Sequence, residues 1–144
     1  MYNPLKKNRR HNIQKTSDME NDVKKVLEKM TDEMPGLVLS AVVLIDNGIS
    51  VAELSTEAGI DATIASTYLA NIVKSNLEAI KLFSGEQKTD SILITTDKNY
   101  FLVRHIPGQP FFHFVMTRKD AWLGRTRLVM EKYGQRILGV MQKK

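Results

Sequence analysis

Three histidines are the natural starting point for chemistry in this chain: His11 in a basic N-terminal stretch, His105 ending one apolar run and His113 early in the next. If Ile106 to Pro110 form a turn, the latter two can approach across it. Two imidazoles without a third ligand or an organised carboxylate make an incomplete metal site, and a structural histidine pair near a strand end accounts for the same spacing. Asp90 and Asp97 flank turns, where an Asp carboxylate bonds the local backbone, and nothing pairs them as acid and base. The chain has no cysteine, which removes disulfides, thiolate nucleophiles and cysteine-ligated metals. No glycine-rich phosphate loop or nucleophile elbow is present, and "EAGIDATIAS" offers one glycine and no lysine to a phosphate. The expectation is no catalytic residue, no cofactor, no metal and no enzymatic activity.

Phe111, Phe112 and Phe114 suggest a stacking platform for bases, but no Lys/Arg pattern interleaves with them, and period two puts Phe112 and Phe114 together on one core-facing side. The net charge of +5 resides in the first fifteen residues, where Lys6, Lys7, Arg9, Arg10 and Lys15 stand without an acid; the remainder holds sixteen basic and sixteen acidic groups. Such an arm can make a weak contact with an anionic surface, chiefly through Lys6, Lys7, Arg9 and Arg10, or simply act as a disordered solubilising tail. No specific nucleic acid is expected. Asn12, Gln14, Lys15 and Thr16 follow the basic cluster where a signal peptide would need an apolar segment. The apolar run Leu37 to Ile45 is too short to span a bilayer, so a cytoplasmic protein is expected.

The elements that would position these groups can be read from periodicity. Ser17 and Glu20 form a capping box for a helix to about Glu33, with Met19, Val23, Val26, Leu27, Met30 and Met34 as its stripe and Pro35-Gly36 as its stop. Leu37 to Ile45 is apolar on both alternating faces, with Ser40 the sole interruption, so it is expected to be an interior strand covered on both sides. Asp46, Asn47 and Gly48 predict a type I′ hairpin turn into a strand from Ile49 to Leu54. Asp61 caps a helix from Ala62 to about Phe83, ended by Ser84 and Gly85. Three strands follow, Ser91 to Thr95, Tyr100 to Ile106 and Phe111 to Thr117, and Asp120 caps a final helix to about Met141. With hairpin-length connections, this order predicts an α+β fold: a five-stranded antiparallel sheet flanked by helices on both faces, in the order α-β-β-α-β-β-β-α. The boundaries are 1–16 for the basic tail, 17–141 for the domain and 142–144 for a C-terminal tail.

The helix from Ala62 to Phe83 has an apolar arc of roughly 200°, about twice what one sheet face can cover. Small residues, Ala62, Ala65, Ser66 and Ala70, occupy part of it, where another backbone could come close. A homodimer interface over Ala62, Ala65, Ser66, Leu69, Ile72 and Val73 is expected, the alternative being that another helix of the same chain covers the excess. The rest of this helix is a polar stripe, Thr63, Thr67, Asn71, Lys74, Glu78 and Lys81, which is either a solvated face or a partner-binding platform.

The first helix with its Pro35-Gly36 stop, "LSAVVLIDNGISVAEL" as hairpin, the small-residue-rich second helix, three strands and "WLGRTRLVMEKYGQRIL" together resemble the Roadblock / dynein light chain family, over about residues 17 to 141. The resemblance implies a profilin-like sandwich with one helix on one face of the sheet and two on the other. It also implies dimerisation through the second helix and third strand, which brings Ile92 and Ile94 into the interface. Family members are non-enzymatic regulators of small Ras-like GTPases, or adaptors in motor and signalling assemblies. A bacterial member activates a polarity GTPase in gliding motility without donating an arginine finger.

Arg104, Arg118, Arg125 and Arg127 are candidates for such a finger on general grounds, and the resemblance does not support one. The expected function is a cytoplasmic homodimer that binds a small Ras-like GTPase and modulates its nucleotide cycle. The alternative is a non-catalytic scaffold in a signalling or motility assembly.

Overall fold

The computed structural model describes residues 4–83 and 86–142, with side chains from residue 18 onward. Its elements are α1 (Pro4–Thr31), β1 (Leu37–Leu44), β2 (Ser50–Ser55), α2 (Ala62–Phe83), β3 (Ile92–Thr95), β4 (Asn99–His105), β5 (Phe111–Arg118) and α3 (Leu123–Met141). The strands form one sheet in the order β2-β1-β5-β4-β3, antiparallel throughout. This is the expected α+β sandwich. The short hairpins β1–β2, β3–β4 and β4–β5 give sequential neighbours, and α2 carries the chain from one edge of the sheet to the other.

The two-sided apolar pattern of the first strand is realised in β1, which is buried along all but its last residue, with β2 on one side and β5 on the other. One face of the sheet packs under α1 and α3, where Val23, Leu27, Met30, Val42, Leu102, Val115, Tyr133 and Ile137 form one core. The opposite face packs under α2, where Leu39, Ala41, Val43, Leu69, Val73, Phe112 and Phe114 form the second. Phe112 and Phe114 thus serve the core, with ring centroids 6.4 Å apart. Fully burying each such aliphatic or Phe side chain contributes about 1.5–3 kcal/mol.

Ser40, the polar interruption in β1, is fully buried beneath α1 and α3. Its hydroxyl donates to the Phe114 carbonyl at 3.2 Å and lies 2.9 Å from His113 Nε2. A buried hydroxyl with these partners avoids the cost of an unmade hydrogen bond.

Several local expectations are corrected. The first helix does not begin at Ser17: α1 runs back to Pro4, so no capping box forms there. Proline suits a first helical position, and neither proline nor glycine interrupts the stretch after it. The second turn is not type I′, because that turn needs a positive φ at Asn47 and only Gly48, at φ 71°, has one there. Instead the Gly48 N–H bonds Leu44 O at 2.9 Å, and Asn47 Oδ1 accepts from the Ile49 N–H at 2.9 Å. Asp61 does cap α2, accepting from the Thr63 N–H at 2.8 Å. Ser84 and Gly85, expected to end that helix, lie outside the described residues.

Asp120 does not cap α3. The turn that bonds Ala121 N–H to Arg118 O delays the helix, the N-cap position falls to Trp122, and the Asp120 carboxylate lies 3.6 Å from Arg118 Nε.

Candidate protein-interaction face

The helix α2 meets the sheet along Ala62, Ser66, Leu69, Ala70 and Val73, all buried. Its small residues admit the β1–β2 hairpin: a Cβ on Gly48 would stand 3.1 Å from Thr67 Cα and 3.6 Å from Ala70 Cβ, and Ser50 Oγ lies 3.0 Å from Ser66 Oγ. The close backbone approach expected at this stretch is therefore made within the protomer. Of the expected interface residues, Ala62, Ser66, Leu69 and Val73 are buried against the protomer's own sheet and hairpin. Ala65, Ile92 and Ile94 are half-buried, and Ile72 is exposed.

The excess of the apolar arc lies on the other side of α2. Ile64, Tyr68 and Ile72 recur every four residues and are 59%, 68% and 38% exposed, with Leu82 and Phe83 also exposed at the C-terminal end. No described helix covers them, because α1 and α3 sit together on the opposite face of the sheet. These residues fall within the roughly 200° arc of the helix, whose phase relative to the sheet is set only by the fold. The signal was their size: bulky side chains border the stripe, small ones the hairpin.

Beyond α2 on the same face stands β3, the edge strand. Ile92 lies opposite Val103 and Ile94 opposite Phe101, and all four pack with the α2-side core. The outer backbone edge of β3 has no neighbouring strand among the described residues. A short edge strand beside an exposed apolar stripe offers both hydrogen-bond groups and apolar area to another chain. Between the C-terminal half of α2 and the start of β3 a cavity of ≈ 220 Å³ is lined by Val73, Leu77, Ile80, Ile92, Val103 and His105.

The polar stripe is on the surface as expected: Thr63, Thr67, Asn71, Glu78 and Lys81 are exposed and Lys74 is half-buried. Part of it is engaged internally. Lys74 Nζ donates to Asp46 O at 2.6 Å, and the Thr67 hydroxyl donates to Thr63 O at 3.0 Å.

The histidines do not pair. Arg104 is the residue opposite His113 and Phe112 the residue opposite His105, so the two imidazoles stand on opposite faces of the sheet. His105 Nε2 lies 2.7 Å from Gln109 O, at the turn. His113 is buried with Ser40, and because the Ser40 hydroxyl proton is directed at Phe114 O, Nε2 carries the donating hydrogen and Nδ1 has no partner. Burial, reinforced by the charge of Arg104, holds its pKa down at about 3, so it is neutral at physiological pH. Among the described residues no group of three or more His, Asp or Glu is placed to hold a metal ion.

Each finger candidate has an internal contact. Arg104 Nη2 lies 4.0 Å from Asp90, Arg118 Nε 3.6 Å from Asp120, Arg125 Nε donates to Glu33 O at 3.3 Å, and Arg127 Nη1 donates to Ser91 Oγ at 2.6 Å. The side chains of Lys6, Lys7, Arg9 and Arg10 lie outside those described. No described helix is long and apolar enough to cross a membrane.

A five-stranded antiparallel sheet with one helix on one face and two on the other, in this order of elements, is the Roadblock/LC7 fold. The chain is similar to a Roadblock/LC7 domain from Streptomyces avermitilis, at TM-score 0.75 and 11% identity over 85% of this chain and 99% of that one. It is similar to Myxococcus xanthus MglB, at TM-score 0.73 and 18% identity over 83% and 94%. A structure of MglB with a tetrameric arrangement matches at TM-score 0.74 and 14% identity over 85% and 89%. No protein-family model matches the sequence, and no curated protein matches it.

Proposed function

We propose that this chain is a cytoplasmic homodimer that binds a small Ras-like GTPase and modulates its nucleotide cycle without catalytic residues of its own. The observation that carries the proposal is the unpartnered apolar face of Ile64, Tyr68 and Ile72 beside the open edge of β3, on a Roadblock/LC7 fold shared with MglB. The tetrameric arrangement recorded for MglB supports self-association of this fold. In the proposed dimer, Ile72, Ala65, Ile92 and Ile94 remain from the expected interface, joined by Ile64 and Tyr68, and two copies of β3 pair across the edge.

The GTPase docks on the polar stripes of the paired α2 helices, reaching Asn71, Glu78 and Lys81. The domain spans residues 17–141, and the basic segment before it, with Lys6, Lys7, Arg9 and Arg10, adds a weak contact with an anionic surface.

The test is to measure the mass of the protein by light scattering, then to mix it with a small Ras-like GTPase encoded beside it and follow GTP hydrolysis and nucleotide release. A dimer that changes either rate supports the proposal. A dimer that binds the GTPase with both rates unchanged leaves a scaffold, and a monomer at micromolar concentration removes the assembly on which the docking platform depends.

A further inference from the structure

Trp122 is the chain's single tryptophan, and it is 82% exposed. It stands at the N-cap of α3, over a groove of ≈ 290 Å³ where the end of α1 meets the turn after β5. The floor of this groove is apolar, from Met34, Pro35, Gly36 and Ala121; Gly36, at φ 88°, lies so close that a Cβ there would stand 3.2 Å from Ala121 Cβ. The rim is basic. Arg118 and Arg125 line it, and Asp120 is the one acid of the lining; Lys119, next along the chain, places its ammonium over the Tyr100 ring, 4.7 Å from its centroid.

Arg118 and Asp120 are both more than half exposed, so their 3.6 Å contact is a solvated pair that a competing carboxylate can replace at little cost. Arg125 uses Nε on the Glu33 carbonyl, which holds its guanidinium at the rim with its remaining N–H groups able to donate. The nearby Glu33 carboxylate is occupied by Lys132 Nζ, at 2.9 and 3.0 Å, and by the Tyr133 hydroxyl.

We propose that Trp122, with Arg118 and Arg125, forms a second docking surface for a protein segment that is acidic and carries an apolar anchor residue. Tryptophan and arginine dominate the energetics of protein interfaces, and an apolar floor with a basic rim selects an apolar side chain flanked by carboxylates. At ≈ 290 Å³ the groove stands at the foot of the roughly 300–1,000 Å³ range of ligand sites, room enough for an inserted aromatic side chain. It lies on the α1/α3 side, away from the exposed stripe of α2, so both surfaces can be occupied together. This inference does not depend on the GTPase reading.

Because Trp122 is unique, its fluorescence reports this site alone. The probe is a short synthetic peptide of glutamates with one central phenylalanine, titrated into the full chain. The expected result is a saturable blue shift with reduced acrylamide quenching, weakened by added salt and by about tenfold or more in the R118E/R125E double variant. A phenylalanine-free glutamate peptide should bind more weakly. No shift, an equal response to the lysine counterpart, or indifference to the phenylalanine would each overturn the proposal. So would a blue shift on concentrating the protein alone, which would show that a second copy covers Trp122. The salt titration on the unaltered chain keeps the test valid if the double variant misfolds.

Discussion

Ser40 Oγ and His113 Nε2 are 2.9 Å apart in the core beneath α1 and α3, a contact that orients an imidazole which burial keeps in its neutral form. Nδ1 has no partner to compensate a second proton, so charging His113 opposes the fold. Its pKa falls from 6.5 to about 3, through burial first and the Arg104 charge second.

The consequence is a pH dependence of stability. In the unfolded chain the imidazole takes up a proton near pH 6.5, whereas in the folded chain it does so only near 3, so the unfolded state binds more protons between these values. Stability is fully present above pH 6.5 and declines as pH falls, by up to about 1.4 kcal/mol per pH unit. Glu33, whose pKa is lowered by the Tyr133 hydroxyl and then Lys132, adds a loss of the same sign only below its ordinary 4.5. Urea unfolding between pH 4.5 and 7 should therefore show a slope that His113→Gln removes while the decline below pH 4.5 persists. An unchanged slope in that variant would assign it to other groups.

The two sides of α2 should respond oppositely to substitution. Tyr68→Asp lies on the exposed stripe and should leave monomer stability within about 0.5 kcal/mol, while light scattering shows the dimer shifted to monomer. Leu69→Ala, one residue along, removes buried volume and should cost about 2–5 kcal/mol in unfolding experiments. A destabilised Tyr68→Asp protein would mean that the stripe is covered within the protomer.

Gly48 is needed for both its φ of 71° and its approach to α2. A left-handed conformation costs a non-glycine residue about 1–2 kcal/mol, and the added Cβ would press on Thr67 Cα. Gly48→Ala should lower stability by at least that amount, read from denaturant midpoints. A neutral result would show that the hairpin shifts without loss.

If the protein accelerates GTP hydrolysis, it should do so without an arginine finger. Alanine at Arg104, Arg118, Arg125 or Arg127, assayed one at a time on folded variants, should each change the stimulated rate by less than about tenfold, whereas removing a finger costs about 10³–10⁵. A collapse of that size in one variant would identify the finger and overturn this part of the proposal.

Much of the architecture was legible because its causes are local. The order of elements, the two-sided burial of Leu37–Leu44, the bounds of α2 with its Asp61 cap, and the absence of thiol chemistry follow from side-chain period, turn residues and composition. What only the tertiary structure decided were phases between elements distant in sequence. The 200° arc on α2 did not say which side met the sheet, and Ser66 and Ala70, small residues within it, lie against the chain's own β1–β2 hairpin. His105 and His113 looked like neighbours across a turn, but strand register put them on opposite faces, one at a loop and one in the core. An Asp120 cap would have put Trp122 inside the last helix, yet the delayed helix start left it at the N-cap and exposed. A residue's period fixes which neighbours share its face; only the packing of distant elements fixes whether that face meets the core, a partner or solvent.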